Sequence, residues 1–220
     1  MTESNMGGAI EHWLGFQDKI GRSFMMNEDA LKYPLSDYLV NEGNIDIKSV
    51  DLEHPHPNFS SRLVDLAILD STKKKLDNVF ELKLASPTTR NKSERQRIFN
   101  DIIRLHLANS VTANKCYFII TGKSTNFQLY FKNFQVDKSD FYKHWFAFIK
   151  GQSVTFDVAA ETNTNYEPIY KKFKTDYEGN FQGTGTTVLH LPKQITTTCE
   201  FITGFKATLV PYMAGIWSVT

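Results

Sequence analysis

Cysteine is scarce in this chain: 220 residues carry two, Cys116 and Cys199. Neither stands in a CxxC or Cys/His spacing that would hold zinc. So few thiols exclude a disulfide scaffold and suit a reducing, cytoplasmic compartment. Cys116 lies within an apolar run and reads as a small buried hydrophobe. The opening MTESNMGGAIEHW has no cationic start followed by an apolar stretch, so it does not read as a secretory leader. Nor does any apolar run approach the roughly 20 residues that a membrane span needs. An excess of one charge is missing too. Lys and Arg number 25 against 24 Asp and Glu, a formal net charge of +1. That balance excludes a supercharged coat for nucleic acid, but it leaves room for a local basic groove. The Gly/Thr stretch GNFQGTGTT has neither the lysine nor the strand–helix setting of a phosphate loop. No Ser/His/Asp arrangement, internal repeat or low-complexity tract can be argued.

What is abundant is core material. Hydrophobic residues make up 41% and aromatics 13%, with 17 Phe against 3 Trp. The chain reads as a single domain, residues 1–220, able to bury a sizeable core.

Helical spacing of Ile10, Trp13, Leu14 and Ile20 predicts a helix over 8–22. Asn27 reads as the N-cap of a second helix with Ala30, Leu31, Leu35, Tyr38 and Leu39 inward and Pro34 as a kink. Residues 45–52 alternate as a strand, and His54-Pro55-His56-Pro57-Asn58 reads as a loop. Residues 62–69 and 79–84 are two further strands, with Lys73, Lys74 and Lys75 near the hairpin tip. The clearest helix is 93–108, with Ser93 as N-cap, Gln96 as its capping-box partner, and a stripe of Ile98, Ile102 and Leu105. The run KCYFIIT at 115–121 suits a strand buried on both faces. Strand, long helix, strand is the order of a crossover between parallel strands. Beyond it the pattern predicts helices at 140–150 and 166–177 and strands at 186–191, 205–210 and 215–219. The expected fold class is mixed α/β: a central mixed β-sheet flanked by helices, with 25–122 as the core and 123–220 as a C-terminal helical and strand elaboration.

The chemistry concentrates in two strands. RLVDLAI sets Asp65 in an apolar segment, and VFELKL sets Glu81 and Lys83 in another. Side chains alternate faces along a strand, so Glu81 and Lys83 share one face while Phe80, Leu82 and Leu84 share the other. An antiparallel hairpin turning near Lys73 opposes Asp65 to Glu81, and a register two residues away opposes Asp65 to Lys83. Both put the three charges on one face. Such a cluster on an apolar sheet is costly unless paired or bound to a metal. Two carboxylates with a backbone carbonyl and water can hold Mg²⁺, which activates water and neutralises a phosphate. A neighbouring lysine can position the water or stabilise the developing charge.

VDLAILD followed by VFELKLA resembles the PD-(D/E)XK nuclease superfamily over roughly residues 25–122. Asp65 would be its acidic residue, Glu81 the D/E position and Lys83 the K. Val64 stands where that motif usually has Pro. The resemblance implies a restriction-endonuclease-like core, with Mg²⁺ (Mn²⁺ substituting) between Asp65 and Glu81. It also implies a glutamate from an early helix, for which Glu28 fits best and Glu11 second.

Around these residues Arg90, Lys92, Arg95, Arg97 and Gln96 can line a groove for a phosphate backbone. Arg104 reads either as part of that groove or as a surface pair with Asp101. His54, His56, His106, His12, His144 and His190 have no ligand partners at metal spacing. The expected function is divalent-metal-dependent phosphodiester hydrolysis, of DNA ahead of RNA, with a homodimer allowed and no membrane partner. The alternative is a nucleic-acid-binding or protein-interaction domain that keeps the fold without cutting. Substitutions at Glu81 and Lys83 are expected to abolish cleavage and leave folding intact.

Overall fold

The computed structural model describes residues 3–72, 75–85, 92–131, 145–158, 192–203 and 211–220. Its centre is a seven-stranded mixed sheet. Helix α1 spans Glu3–Lys19 and α2 Glu28–Asn41. Strands β1 (Val50–His56), β2 (Phe59–Leu69) and β3 (Leu76–Ala85) follow. Helix α3 (Lys92–Asn109) leads to β4 (Thr112–Lys123) and α4 (Ser124–Phe131). Strands β5 (Ser153–Asp157), β6 (Gln194–Ile202) and β7 (Tyr212–Val219) complete the sheet, in the order β1-β2-β3-β4-β7-β6-β5.

The crossover stands as the sequence order suggests. β3 and β4 are parallel, from Leu76↔Thr112 to Ala85↔Gly122, and α3 connects them. β1-β2, β2-β3, β4-β7, β7-β6 and β6-β5 are antiparallel. β4 is central, and Cys116 to Ile120 are all buried. β7 is buried along its whole length, although only its 215–219 portion is legible as a strand. Gly215 is required there because the Trp217 ring lies over it, where a Cβ would collide.

Each face of the sheet carries its own apolar layer. Leu66, Ile68, Phe80, Leu82, Tyr117 and Ile119 pack under α1 and α2, against Ile10, Leu14, Leu31 and Leu35. Ala67, Val79, Phe118, Ile120 and Trp217 pack under α3, against Ile98, Phe99, Ile102 and Leu105. The Trp145–Ala147 segment covers the second layer: Phe146 meets Trp217 at 4.6 Å between ring centres, and Trp217 Nε1 donates to the Ala147 carbonyl at 2.7 Å. Full burial of each large aliphatic or aromatic side chain contributes about 1.5–3 kcal/mol.

Asn27 caps α2 as predicted: its side chain accepts from Ala30 N–H at 2.8 Å. The helix runs unbroken past Pro34. Other expectations need correction. Residues 47–49 form a 3₁₀ turn, and β1 extends through His54, Pro55 and His56, which the sequence reading made a loop. β1 is an edge strand, where a proline costs no ladder bond on its open side. Helix α3 starts at Lys92, so Ser93 lies inside it and is not its N-cap. Residues 145–150 are not helical. The predicted elements at 166–177, 186–191 and 205–210 lie outside the described residues. Among the described residues, no helix is long and apolar enough to cross a membrane.

Candidate functional site

β2 and β3 pair from Leu69↔Leu76 to Leu66↔Phe80. Beyond that point β2 continues beside β1 through Val64 and Leu63, while β3 continues beside β4 through Ala85. The strands part like a fork. Asp65 and Glu81 are the next residues of the shared register, on the face that meets α3. Asp65 Oδ2 accepts the Leu82 backbone N–H at 2.7 Å. A carboxylate thus replaces the carbonyl that a continued ladder would have supplied.

Glu81 and Lys83 leave β3 on the same side, as alternation requires. There they meet α3. Arg104 Nη2 lies 3.0 Å from Glu81 Oε1 and also bonds Asp101 Oδ1, three residues back on the helix. Asp101 Oδ2 is 3.1 Å from Lys83 Nζ, which in turn lies 3.2 Å from Glu28 Oε2. Glu81, Arg104, Asp101, Lys83 and Glu28 form one chain of alternating charge from β3 through α3 to the start of α2. Glu81 and Asp101 are 2% and 3% exposed, so the middle of this chain lies inside the protein, and it reaches the surface at Glu28.

A second set surrounds Lys32 of α2, itself 5% exposed. Its Nζ reaches Glu53 Oε1 at 2.8 Å, Asp29 Oδ1 at 2.9 Å and Asp65 Oδ1 at 3.7 Å. Glu28 and Lys32, one turn apart, lie on one face of α2, so that helix addresses Lys83 with an acid and Asp65 with a base.

The named groups comprise six carboxylates (Glu28, Asp29, Glu53, Asp65, Glu81, Asp101) and three cations (Lys32, Lys83, Arg104). Negative charge is in surplus. Burial first, and then the charge of Asp101, hold the Glu81 carboxyl well above the usual range; Arg104 opposes this. Burial pulls the Lys83 ammonium down, but Asp101, Glu28 and Glu81 outweigh it, and the net shift is upward. Lys32 follows the same logic: burial is outweighed by Glu53, Asp29 and Asp65.

Of the residues singled out in the sequence, Glu28, Asp65, Glu81 and Lys83 meet at the fork. Glu11 does not: its Oε1 accepts from Ala214 N–H at 3.1 Å and from the Thr203 hydroxyl, tying α1 to β7 and the end of β6. Arg97 is exposed. Arg90 and the side chains of Lys92, Arg95 and Gln96 lie outside the described residues. Arg104 and Asp101 are an interior pair, where the sequence reading allowed a surface one. Asp101, Lys32 and Glu53 were missed. A signal existed for two of them. Asp101 lies within the Ile98–Leu105 apolar stripe, and Lys32 lies on the line of Glu28, Leu35 and Leu39.

His56 is buried beside this region. Its Nδ1 accepts from Asn58 N–H at 3.1 Å, so Nε2 carries the proton and donates to the Arg104 carbonyl at 3.0 Å. Burial pushes its pKa down to about 4. It is a neutral strut, with both ring nitrogens engaged by backbone groups. His54 pairs with Asp51 at 2.8 Å.

Among the described residues, no three His, Cys, Asp or Glu side chains are gathered at metal-binding spacing. The carboxylates are instead held on internal cations. The donor set still matches a hard cation in kind: anionic oxygens, in excess, with one of them destabilised as an anion. No family model, no curated protein and no solved structure matches the chain.

Proposed function

We propose that this chain is a divalent-metal-dependent nuclease with a restriction-endonuclease-like core, acting on DNA ahead of RNA. The observation that carries the reading is the fork. Asp65 and Glu81 stand at the point where β2 and β3 part, with Lys83 on the same face and Glu28 beside it. An acid from one strand, an E-x-K pair from the next, and an early-helix glutamate are the parts the superfamily assembles.

Asp65 and Glu81 would hold Mg²⁺ or Mn²⁺, which supplies an acidified water and neutralises charge on the phosphate. The protein's own groups do the rest. Leu82 N–H fixes one oxygen of Asp65. Asp101 and Glu28 hold the Lys83 amine from two sides, so it is presented in one place and stays protonated. A fixed ammonium beside the scissile phosphate stabilises charge that develops in the transition state and needs no reorganisation to do so. Arg104, held by Glu81 and Asp101, would be a second cation for the phosphate. The near-neutral whole molecule gives modest, salt-sensitive affinity for nucleic acid, which a homodimer would raise by extending the groove.

A second reading has one observation in its favour. Lys83 and Arg104 already neutralise the carboxylates they touch, which suits a nucleic-acid-binding domain that keeps the fold without cutting. The experiment that separates them incubates the protein with supercoiled plasmid and with single-stranded DNA and RNA, in Mg²⁺, Mn²⁺, Ca²⁺ or chelator. Metal-dependent nicking supports the nuclease. Binding without cleavage in any metal moves the assignment to the non-cutting domain.

A further inference from the structure

The connection between α1 and α2 is tied at both ends to one end of the sheet. β3 and β4 are parallel, so their C-terminal ends lie together. Ile120 is the registered partner of Lys83, and Lys123 stands further along the same strand, about 10 Å on. At one end of the connection Asp18, in the last turn of α1, faces Lys123 at 3.8 Å and accepts from the Ser23 hydroxyl. At the other, Glu28 begins α2 and reaches Lys83 at 3.2 Å. Residues 18–28 therefore link the end of β4 to the lysine of the fork.

The middle of this connection is held outward. Ser23–Met25 is a 3₁₀ turn in which Met25 N–H donates to the Arg22 carbonyl at 3.0 Å and Met26 N–H to the Ser23 carbonyl at 3.2 Å. Met26 packs on the layer under α1 and α2, and its Sδ accepts from the Tyr212 hydroxyl at 3.5 Å. Phe24 is left 83% exposed, the most exposed large hydrophobic side chain among the described residues, and Ile20 and Met25 are exposed as well. A single apolar side chain at the surface needs no explanation. This ring, however, is carried on a turn fixed at both ends, and positive charge is in surplus along the same stretch. Lys19 and Arg22 are exposed, and among the described residues no carboxylate pairs with either. The acids are engaged: Asp18 with Ser23 and Lys123, Glu28 with Lys83. A fixed aromatic ring among cations complements a polymer that carries a flat base and a phosphate in every unit.

We propose that Phe24 is a base-stacking residue and that Lys19, Arg22 and Lys123 hold phosphates beside it, so that this connection is a track for single-stranded nucleic acid leading to the fork. The inference rests on the nucleic-acid reading of the fork and narrows it to a strand that is unpaired or frayed where it meets Phe24. In a duplex the base faces are already stacked on one another and closed to the ring. Every base has a face to stack, so the track has little sequence preference.

The test measures binding in chelator, by fluorescence anisotropy, of a short fluorescein-labelled oligo(dT) and of a DNA duplex of the same length. Phe24→Ala should weaken oligo(dT) binding by about 10-fold or more and leave duplex binding nearly unchanged. Phe24→Trp should bind as wild type, and oligo(dT) should quench the emission that the added indole brings, beyond any change seen in wild type. Lys19→Ala and Arg22→Ala should weaken binding of both probes, each lowering the slope of log K against log salt for oligo(dT) by about 0.7. Phe24→Ala that binds oligo(dT) as tightly as wild type overturns the proposal, and so does equal weakening for the duplex or an unquenched Phe24→Trp. If Phe24→Ala instead changes the sedimentation of the protein and not its binding, a second copy covers the ring and the proposal falls. The nuclease reading fails separately: wild type then cuts no substrate in any metal, while the oligo(dT) difference at Phe24 still stands. Wild type that binds neither probe overturns both.

Discussion

Arg104 Nη2 lies 3.0 Å from the Glu81 carboxylate, and the same guanidinium bonds Asp101 on its own helix. Helix α3 therefore does more than cross over between parallel strands. It brings a cation to Glu81 and an anion to Lys83, and encloses both. Breaking one partner of a buried, hydrogen-bonded pair typically costs about 3–5 kcal/mol, because the other charge is left uncompensated. Glu81 and Lys83 are thus parts of the fold as well as of the proposed site, which revises the expectation that their substitution leaves folding intact.

The first prediction concerns cleavage. Mg²⁺ or Mn²⁺ should support nicking of plasmid DNA, chelation should stop it, and Ca²⁺ should bind without turnover because its looser coordination positions water poorly. Glu81→Gln and Lys83→Met should each lower the rate by at least about 100-fold. Circular dichroism on each variant separates this loss from unfolding. Full activity in either variant with an intact fold removes that residue from the mechanism.

Arg104 gives a prediction about stability. Arg104→Met should destabilise the protein by about 3–5 kcal/mol at neutral pH, measured by urea unfolding. The added substitution Glu81→Gln should recover part of that loss, since it removes the stranded carboxylate. A double variant no more stable than Arg104→Met alone would show that the pair is not coupled.

The pH dependence of Glu81 has a definite sign. Its folded pKa lies well above its ordinary value, chiefly from burial and then from Asp101. The protonated form is therefore the one the fold favours. The corresponding stability is fully present below the unfolded pKa and is lost as pH rises through the folded pKa. Glu81→Gln should gain stability relative to wild type as pH rises above about 4.5, followed as the difference in melting temperature across a pH series. A difference that does not vary with pH contradicts the assignment.

His56 has the opposite sense. Burial holds it neutral, with a folded pKa of about 4. Its contribution is complete above the unfolded value near 6.5 and falls away as pH drops from there toward 4, by about 3 kcal/mol. In His56→Gln, whose amide can still donate to the Arg104 carbonyl, the fall in stability over that window should flatten. The same slope in the variant would place the acid sensitivity elsewhere.

The two early glutamates can be told apart. Glu28→Ala frees Lys83 from one of its two anchors and should lower cleavage about 10-fold with little change in melting temperature, since the Glu28 side chain is 41% exposed. Glu11→Ala removes the acceptor for the Thr203 hydroxyl and one of two acceptors for Ala214 N–H, and should lower the melting temperature while cleavage by the folded fraction is unchanged. The reverse outcome would exchange their roles.

Much of the core was legible in the residues themselves. The order strand, 18-residue helix, apolar strand led directly to the parallel β3-β4 pair. Alternation along VFELKL put Glu81 and Lys83 on one face, because pleat geometry is local and does not depend on what packs against it. Asn27 was legible as a cap for the same reason: its bond spans three residues. The sequence therefore determined which charges would share a face of the sheet. Only the tertiary structure decided what meets them there. Asp101 and Arg104 reach β3 from 18 residues or more along the chain, Glu28 from 55, and Glu53 is brought opposite Asp65 by pairing of β1 with β2. No local period records such distances. A carboxylate inside an apolar helical stripe has the same appearance whether it faces solvent, a lysine or another acid, and what it faces is fixed by how the helix docks on the sheet.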